Sequence, residues 1–355
     1  MRILAVTNMY PTPERPALGT YVEQQIKGLK QLGLEVDVMF VDRLQRGVSA
    51  YLGLGRKVRK RVAQFRADVV HVMYGGVMAA RVTRAVNNRP TVISFCGSDL
   101  LGENLSGNMR KFVSGYGILA SHKAARRATG IVVKSKNLYQ ALPYGLDRSH
   151  ARIIPNGVDL HLFKPIGRRK CREELGWNNN HFHVLFPTNC GDPCKRFSLA
   201  QDAVDRISRL GHPIEIHQLS GIPHREVPIW LNASDVMLLT SLQEGSPNIV
   251  KEALACDVPV VSVDVGDVRE RMEKIEGCYL ALPDPCDLAV KLHLVLTGRR
   301  RIAGRFAMQE LSLEKVALRL RTFYCELMEY WSRQRSPSEH LKNTGSYKRH
   351  SSLPF

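Results

Sequence analysis

The sequence predicts an α/β protein of two doubly wound domains facing a cleft. Short β-branched and apolar runs at 3–7, 35–41, 69–73, 91–95 and 130–133 alternate with helical stretches. That alternation is the pattern of a parallel sheet covered on both faces. The plan then repeats at 183–186, 214–219, 236–239 and 258–262. At 355 residues the chain is long enough to bury two separate cores. The expected division is a first domain over 1–163, a charged, asparagine-rich linker over 164–180, and a second domain over 181–311. A helical run over 312–335 and a polar, basic, disordered tail over 336–355 follow.

In such folds ligands bind at the carboxyl ends of the strands, so the loops after the strands hold the candidate chemistry. The most informative is SLQEGSPNIVKEALACDVPVVSVDVGDVRE, residues 241–270. Glu244 and Glu252 are separated by seven residues, Gly245, Ser246, Pro247 and Asn248 among them. Pro247 suits the first turn of a helix, where its missing N–H costs nothing, and Ser246 suits the cap before it. The free N–H groups of that turn, with the positive end of the helix dipole, attract an anion. A carboxylate accepts hydrogen bonds from paired sugar hydroxyls. On a helix, an eight-residue offset spans roughly 12 Å, too far for a glycosidase pair at about 5–9.5 Å. The same residues also suit a plain amphipathic helix with two solvated acids.

The segment resembles the glutamate–seven-residue–glutamate signature of retaining glycosyltransferases of the GT-B fold, above all glycosyltransferase family 4. Ser241, Ala253, Pro259, Asp264 and Gly266 fit the same pattern. The resemblance implies that Glu244 contacts the donor sugar and Glu252 the nucleotide ribose. It assigns Gly245, Ser246, Pro247, Asn248 and Ile249 to the donor's diphosphate and sugar. Other segments fit in order. MRILAVTN reads as a first strand, and Gly19 opens a helix where the family's glycine approaches the diphosphate. IIPNGVD, residues 153–159, matches the turn that ends the family's first domain. The run over 312–335 corresponds to the helix that crosses back to that domain.

Two loops depart from the family pattern. In Phe95-Cys96-Gly97-Ser98-Asp99, Cys96 stands where many members carry histidine, which leaves Asp99 as the candidate for sugar contact. In FPTNCGDPCKRF, residues 186–197, Lys195 fits the family's diphosphate-clamping lysine, while Asn189 takes the arginine position. The missing charge then falls to Arg196 or to the other domain. Lys195, Glu244 and Asp99 are the expected catalytic residues.

Composition bounds the rest. Among the eight cysteines, Cys190 and Cys194 bracket Gly-Asp-Pro, but no second pair has zinc spacing, so no metal site is expected. No Asp-x-Asp motif is present either, so the resemblance implies transfer without a metal, with a nucleotide diphosphate sugar as co-substrate and no cofactor. With no secretory leader and no apolar run of membrane-spanning length, reduced thiols in a cytoplasmic enzyme are expected. The net charge of +18 is scattered, aromatics are few, and no nucleic-acid-binding motif occurs, which argues against a nucleic-acid partner. Residues 51–66 carry six basic groups and no acid beside Tyr51, Leu52, Leu54, Val58, Val62 and Phe65. This helix is expected either to lie on an anionic membrane near a lipid-linked acceptor or to cover the sheet with a solvated basic face.

The expected function is retaining transfer of a hexose from a nucleotide diphosphate sugar to a glycan or lipid-linked glycan in polysaccharide biosynthesis. Two alternatives stand beside it: a nucleotide-sugar epimerase on the same fold, and a weakly catalytic membrane-peripheral assembly protein.

Overall fold

In the computed structural model, which describes residues 1–102, 108–188, 192–298 and 300–335, the chain forms two parallel sheets. The first contains β1 (Arg2–Thr7), β2 (Glu35–Phe40), β3 (Val69–Val72), β4 (Thr91–Phe95), β5 (Gly130–Val133) and β6 (Ala151–Ile153). Their order is β2-β1-β3-β4-β5-β6. The second contains β7 (Phe182–Phe186), β8 (Ile214–Gln218), β9 (Val236–Leu239), β10 (Val260–Val263) and β11 (Tyr279–Ala281), in the order β11-β10-β9-β7-β8. Every predicted strand is present, and all named pairs are parallel.

The central strands are buried on both faces, which is why they read as unbroken apolar runs rather than alternating ones. β10 begins at Val260, two residues later than expected, because Pro259 has no N–H to give the ladder and Val258 N–H donates back to the Ala253 carbonyl. β6 and β11 were not foreseen. Three residues with one fully buried position leave no period to read.

Each sheet separates two apolar clusters. One cluster of the first domain recruits Val316, Ala317, Leu320, Phe323, Tyr324 and Leu327 from the helix Leu313–Arg335. That helix packs on Val22, Ile26 and Leu29 of the helix Thr20–Gln31. At the crossing, Val158 N–H donates to the Leu311 carbonyl and Leu313 N–H to the Val158 carbonyl. Deeper in, the Tyr324 hydroxyl lies 2.6 Å from His71 Nδ1, whose Nε2 lies 2.8 Å from Ser94 Oγ. This locks the returning helix to β3 and β4.

Two expectations change. The span 164–180 contains the helix Arg168–Leu175, which is fixed to the second domain. Arg172 there is buried and donates to Asp235 at 2.7 Å and to the Ala233 carbonyl at 2.9 Å. Charge that reads as a solvated linker is instead a buried ion pair. The apolar side of 51–66 is likewise used: Tyr51, Leu54, Val58 and Val62 of this region lie in the first core. The helix Leu54–Phe65 covers the sheet and turns its basic groups outward, so its buried apolar face is not available to a bilayer. Among the described residues no helix is long and apolar enough to cross a membrane. The expected tail, 336–355, lies outside the described residues.

Candidate active site

Loops from the carboxyl ends of both sheets meet across the cleft. Gly245, after β9, abuts the Cys96–Gly97 loop after β4 so closely that a Cβ on it would lie 1.8 Å from the Cys96 carbonyl oxygen. Gln243 Nε2 donates to the Gly102 carbonyl at 3.0 Å, and Asn156 Nδ2 donates to Asn248 Oδ1 at 3.3 Å. The IPNGVD turn therefore touches the first residue of the helix Asn248–Ala255 and is part of the site's frame.

Lys195 and Glu244, given separate roles in the sequence reading, come together in the structure. Lys195 Nζ lies 2.5 Å from Glu244 Oε1, and Ser241 Oγ donates to the same oxygen at 2.8 Å. Their loops are joined as well: Thr240 Oγ1 donates to the Lys195 carbonyl at 2.7 Å. Arg196 departs from its expected role. It adopts a left-handed φ of 52°, and its guanidinium donates to the Thr240 and Ser241 carbonyls. Its charge therefore braces the end of β9 rather than facing a diphosphate, and burial lowers its pKa. Asn189 and Cys190 lie outside the described residues.

Glu252 is 8% exposed and accepts from His224 Nε2 at 3.0 Å. Burial opposes a charge on His224, but the hydrogen bond and charge of Glu252, helped by Asp159 and Glu23, outweigh it and raise the imidazole's pKa. Glu244 lies in the loop before the helix, so the helical-rise separation of the two glutamates does not apply. They answer to different partners, Lys195 and His224.

The helix start also differs from expectation. Pro247, not Ser246, occupies the cap position, and no side chain caps the helix. Ser246 Oγ instead donates to Asp267 Oδ2 at 2.9 Å and accepts from Lys251 Nζ at 3.0 Å. Lys251 is 1% exposed and also donates to the Asn156 carbonyl; burial brings its pKa down to about 8. The backbone N–H groups at Asn248 and Ile249 belong to the first turn and have no intrahelical acceptor, leaving them for an anion.

On the first domain, Gly19 precedes the helix Thr20–Gln31 at φ 67°, and a Cβ there would lie 2.4 Å from the Met9 carbonyl carbon. Only glycine meets both conditions. Asp99 is buried, and its carboxylate accepts from the N–H groups of Gly75, Cys96 and Gly97 at 2.8–3.1 Å. Burial raises its pKa against these hydrogen bonds. It shapes the loop that Gly245 touches, so the geometry makes it a positioning residue in place of the expected sugar contact. Cys96 is half-buried, and desolvation pushes its thiol up to about 12. His224 and Asp267 were missed because isolated residues in aperiodic loops give no spacing to read, and Lys251 because a single lysine in a helix reads as a solvated one. The positions of His224 after β8 and Asp267 after β10 were the signals that pointed to the cleft.

Two family models cover most of the chain between them: Glycosyltransferase Family 4 over residues 18–162 and Glycosyl transferases group 1 over residues 196–297. A Bacillus subtilis (strain 168) chain, TuaC, whose name assigns it to teichuronic acid biosynthesis as a glycosyltransferase, is 24% identical over 341 residues. The match takes in 77% of this chain and 84% of TuaC. Sucrose-phosphate synthase from Thermosynechococcus elongatus superimposes with a TM-score of 0.76 at 16% identity, covering 93% of this chain and all of that one. Anabaena HepE in complex with UDP-glucose does so with a TM-score of 0.64 at 18% identity, covering 94% and 100%. The two structural matches share the arrangement of paired sheets found here, and the family models take in the loops at 95–99 and 241–270. The chain belongs to the GT-B glycosyltransferases of the family 4, group 1 type.

Proposed function

We propose that the enzyme is a retaining hexosyltransferase using a nucleoside diphosphate sugar, with a glycan or lipid-linked glycan of a polysaccharide pathway as acceptor. The observation that carries this reading is the Lys195–Glu244 pair beside the uncapped start of the helix Asn248–Ala255. An arriving diphosphate offers Lys195 a stronger anionic partner. Glu244 is then released to accept from hexose hydroxyls, and Glu252 accepts from the ribose. The bond from the anomeric carbon to the phosphate oxygen breaks as the acceptor oxygen attacks from the same face. The acceptor's proton passes to the departing phosphate oxygen. Lys195 and the amides of Asn248 and Ile249 meet the growing charge, a form of preorganised stabilisation that supplies about 3–4 kcal/mol per well-placed donor. With that cation and those N–H donors in place, transfer is proposed to need no metal ion at the diphosphate.

UDP-glucose, held by HepE, is the first donor to test, and TuaC's name supports a polysaccharide acceptor. For a lipid-linked acceptor, one surface of the first domain has the composition that suits a membrane. Phe112, Val113, Tyr116 and Leu119 of the helix Asn108–Ala125 are 57–74% exposed. Tyr116 and Leu119 line a groove of about 590 Å³ with Arg59, Arg81, Arg84 and Lys123. Apolar and basic groups side by side suit an anionic bilayer at the cytoplasmic face.

The test is slow hydrolysis of UDP-glucose followed by NMR. Release of the α-anomer first supports retention; β-glucose first overturns it. Turnover that survives a chelator supports metal independence. A UDP-induced rise in melting temperature that persists unchanged in Glu252→Ala would remove Glu252 from the donor site.

A further inference from the structure

Away from the cleft loops, four ionisable side chains converge on one face of the second sheet at its free edge. β8 is the edge strand, and in its register with β7 His183 pairs with Glu215 and Leu185 with His217. Strand period places His183, Glu215 and His217 on the same face. His183 Nδ1 lies 2.8 Å from His217 Nε2 and 3.9 Å from Glu215 Oε2; His217 Nε2 lies 3.6 Å from that oxygen. The other carboxylate oxygen lies 2.5 Å from His181 Nδ1. Ligands at about 2.0–2.2 Å from a tetrahedral zinc sit roughly 3.3 Å from one another, so this triangle needs only small adjustments to close on an ion.

The surroundings orient the rings as metal ligands are oriented. His183 Nε2 lies 2.8 Å from the Asn178 carbonyl, which can only accept. The proton is therefore on Nε2, and the lone pair of Nδ1 points into the cluster. A backbone carbonyl on the far nitrogen is the common partner of a ligating histidine. Trp177 stacks on His217 with centroids 3.6 Å apart and an interplanar angle of 11°, fixing the second ring. His183 is closed off from solvent, while Glu215 is 41% exposed at the side chain, giving an ion a way in.

We propose that His183, Glu215 and His217, with His181 or water completing the shell, form a structural site for a divalent borderline metal ion of the zinc class. The donor set of imidazole and carboxylate favours zinc over soft monovalent copper and over the oxygen-seeking magnesium and calcium. On binding, the His217 proton moves to Nδ1 so that Nε2 can ligate. The ion would pin the edge strand to β7 and to the Trp177–Asn178 segment. It is separate from the donor chemistry, so it neither needs nor contradicts metal-independent transfer.

The experiment uses the full chain without a histidine tag, stripped with chelator and dialysed. Zinc is titrated against a chromophoric competitor, and cobalt is followed by its visible spectrum. One equivalent should bind, with a four-coordinate cobalt spectrum and a melting temperature that rises with free zinc. Because outer-shell changes alone weaken metal sites by about 10–100-fold, Glu215→Gln and His217→Gln should each weaken binding by ~100-fold or more. Glu215→Gln sits at the exposed side of the cluster and keeps the fold, which circular dichroism of the metal-free variant checks. Absence of a stoichiometric equivalent at micromolar zinc overturns the proposal. So does binding that both variants retain, which would assign the ion to other residues.

Discussion

Gly245 and the carbonyl of Cys96 are in contact across the cleft, with room for a hydrogen atom and not for a methyl group. The clash that a Cβ would cause is with backbone, so no rotamer relieves it and the two loops must separate. Gly245→Ala should therefore act on closure of the site more than on the stability of either domain. Displacement of a reacting group by about 1 Å can cost roughly 100-fold, and a loss of that order in kcat/KM is expected with little change in melting temperature. Wild-type turnover in the variant would show that this contact is incidental.

The Lys195–Glu244 pair should divide binding from chemistry. Removing a donor to a developing oxyanion typically costs about 10²–10³ in kcat, so Lys195→Ala is expected to lose that much while still binding the nucleoside diphosphate. Glu244→Gln leaves Lys195 without its partner and should lower turnover with less effect on nucleotide affinity. Stopped-flow turnover with parallel calorimetry separates the two. If Lys195→Ala lost nucleotide binding and kept kcat, the leaving-group role would be wrong.

Lys195 and Glu244 were singled out through the resemblance of their segments to family motifs, since spacing alone also suited a helix with two solvated acids. The strands were readable directly: a buried parallel strand writes its environment into consecutive residues. Arg172 shows the limit. In sequence it is one more basic residue in a charged stretch, and only the arrival of Asp235 from 63 residues away turns it into a buried ion pair. The helix Leu54–Phe65 shows another. Its amphipathic pattern was correct, but a pattern does not say whether a sheet or a bilayer receives the apolar side.

His224 and Glu252 predict a pH dependence. The folded-state pKa of His224 is raised above its ordinary 6.5. Its ion pair therefore contributes stability that is complete below about 6.5 and is lost as pH rises through the elevated folded value. The melting-temperature gap between wild type and His224→Gln should be widest near pH 6 and close toward pH 9. A gap that widened with rising pH would mean that the imidazole is held neutral.

The exposed row on the helix Asn108–Ala125 predicts binding to anionic vesicles. Phe112, Tyr116 and Leu119 recur at helical spacing and are 74%, 57% and 60% exposed. A triple change to serine should reduce cosedimentation with phosphatidylglycerol vesicles by ~10-fold or more, since each buried apolar side chain contributes about 1.5–3 kcal/mol. Leu52→Ser, also at an exposed position, serves as the control and should bind as wild type. Equal sedimentation of all three proteins would remove the membrane from the account.

The Arg172–Asp235 pair makes the last prediction, and it concerns the span between the domains. Both side chains are 6% exposed, and Asp235 also accepts from Arg168 and from the His183 N–H. Replacing Arg172 with methionine keeps most of the side-chain volume but leaves a buried carboxylate short of one cation. Breaking a buried pair from one side costs about 3–5 kcal/mol, so Arg172→Met should lower the first melting transition substantially. Asp235→Asn should cost at least as much, because it leaves both Arg168 and the buried Arg172 without their shared anion. If Arg172→Met cost under about 1 kcal/mol, residues 164–180 would behave as the loosely attached connector that their composition suggests.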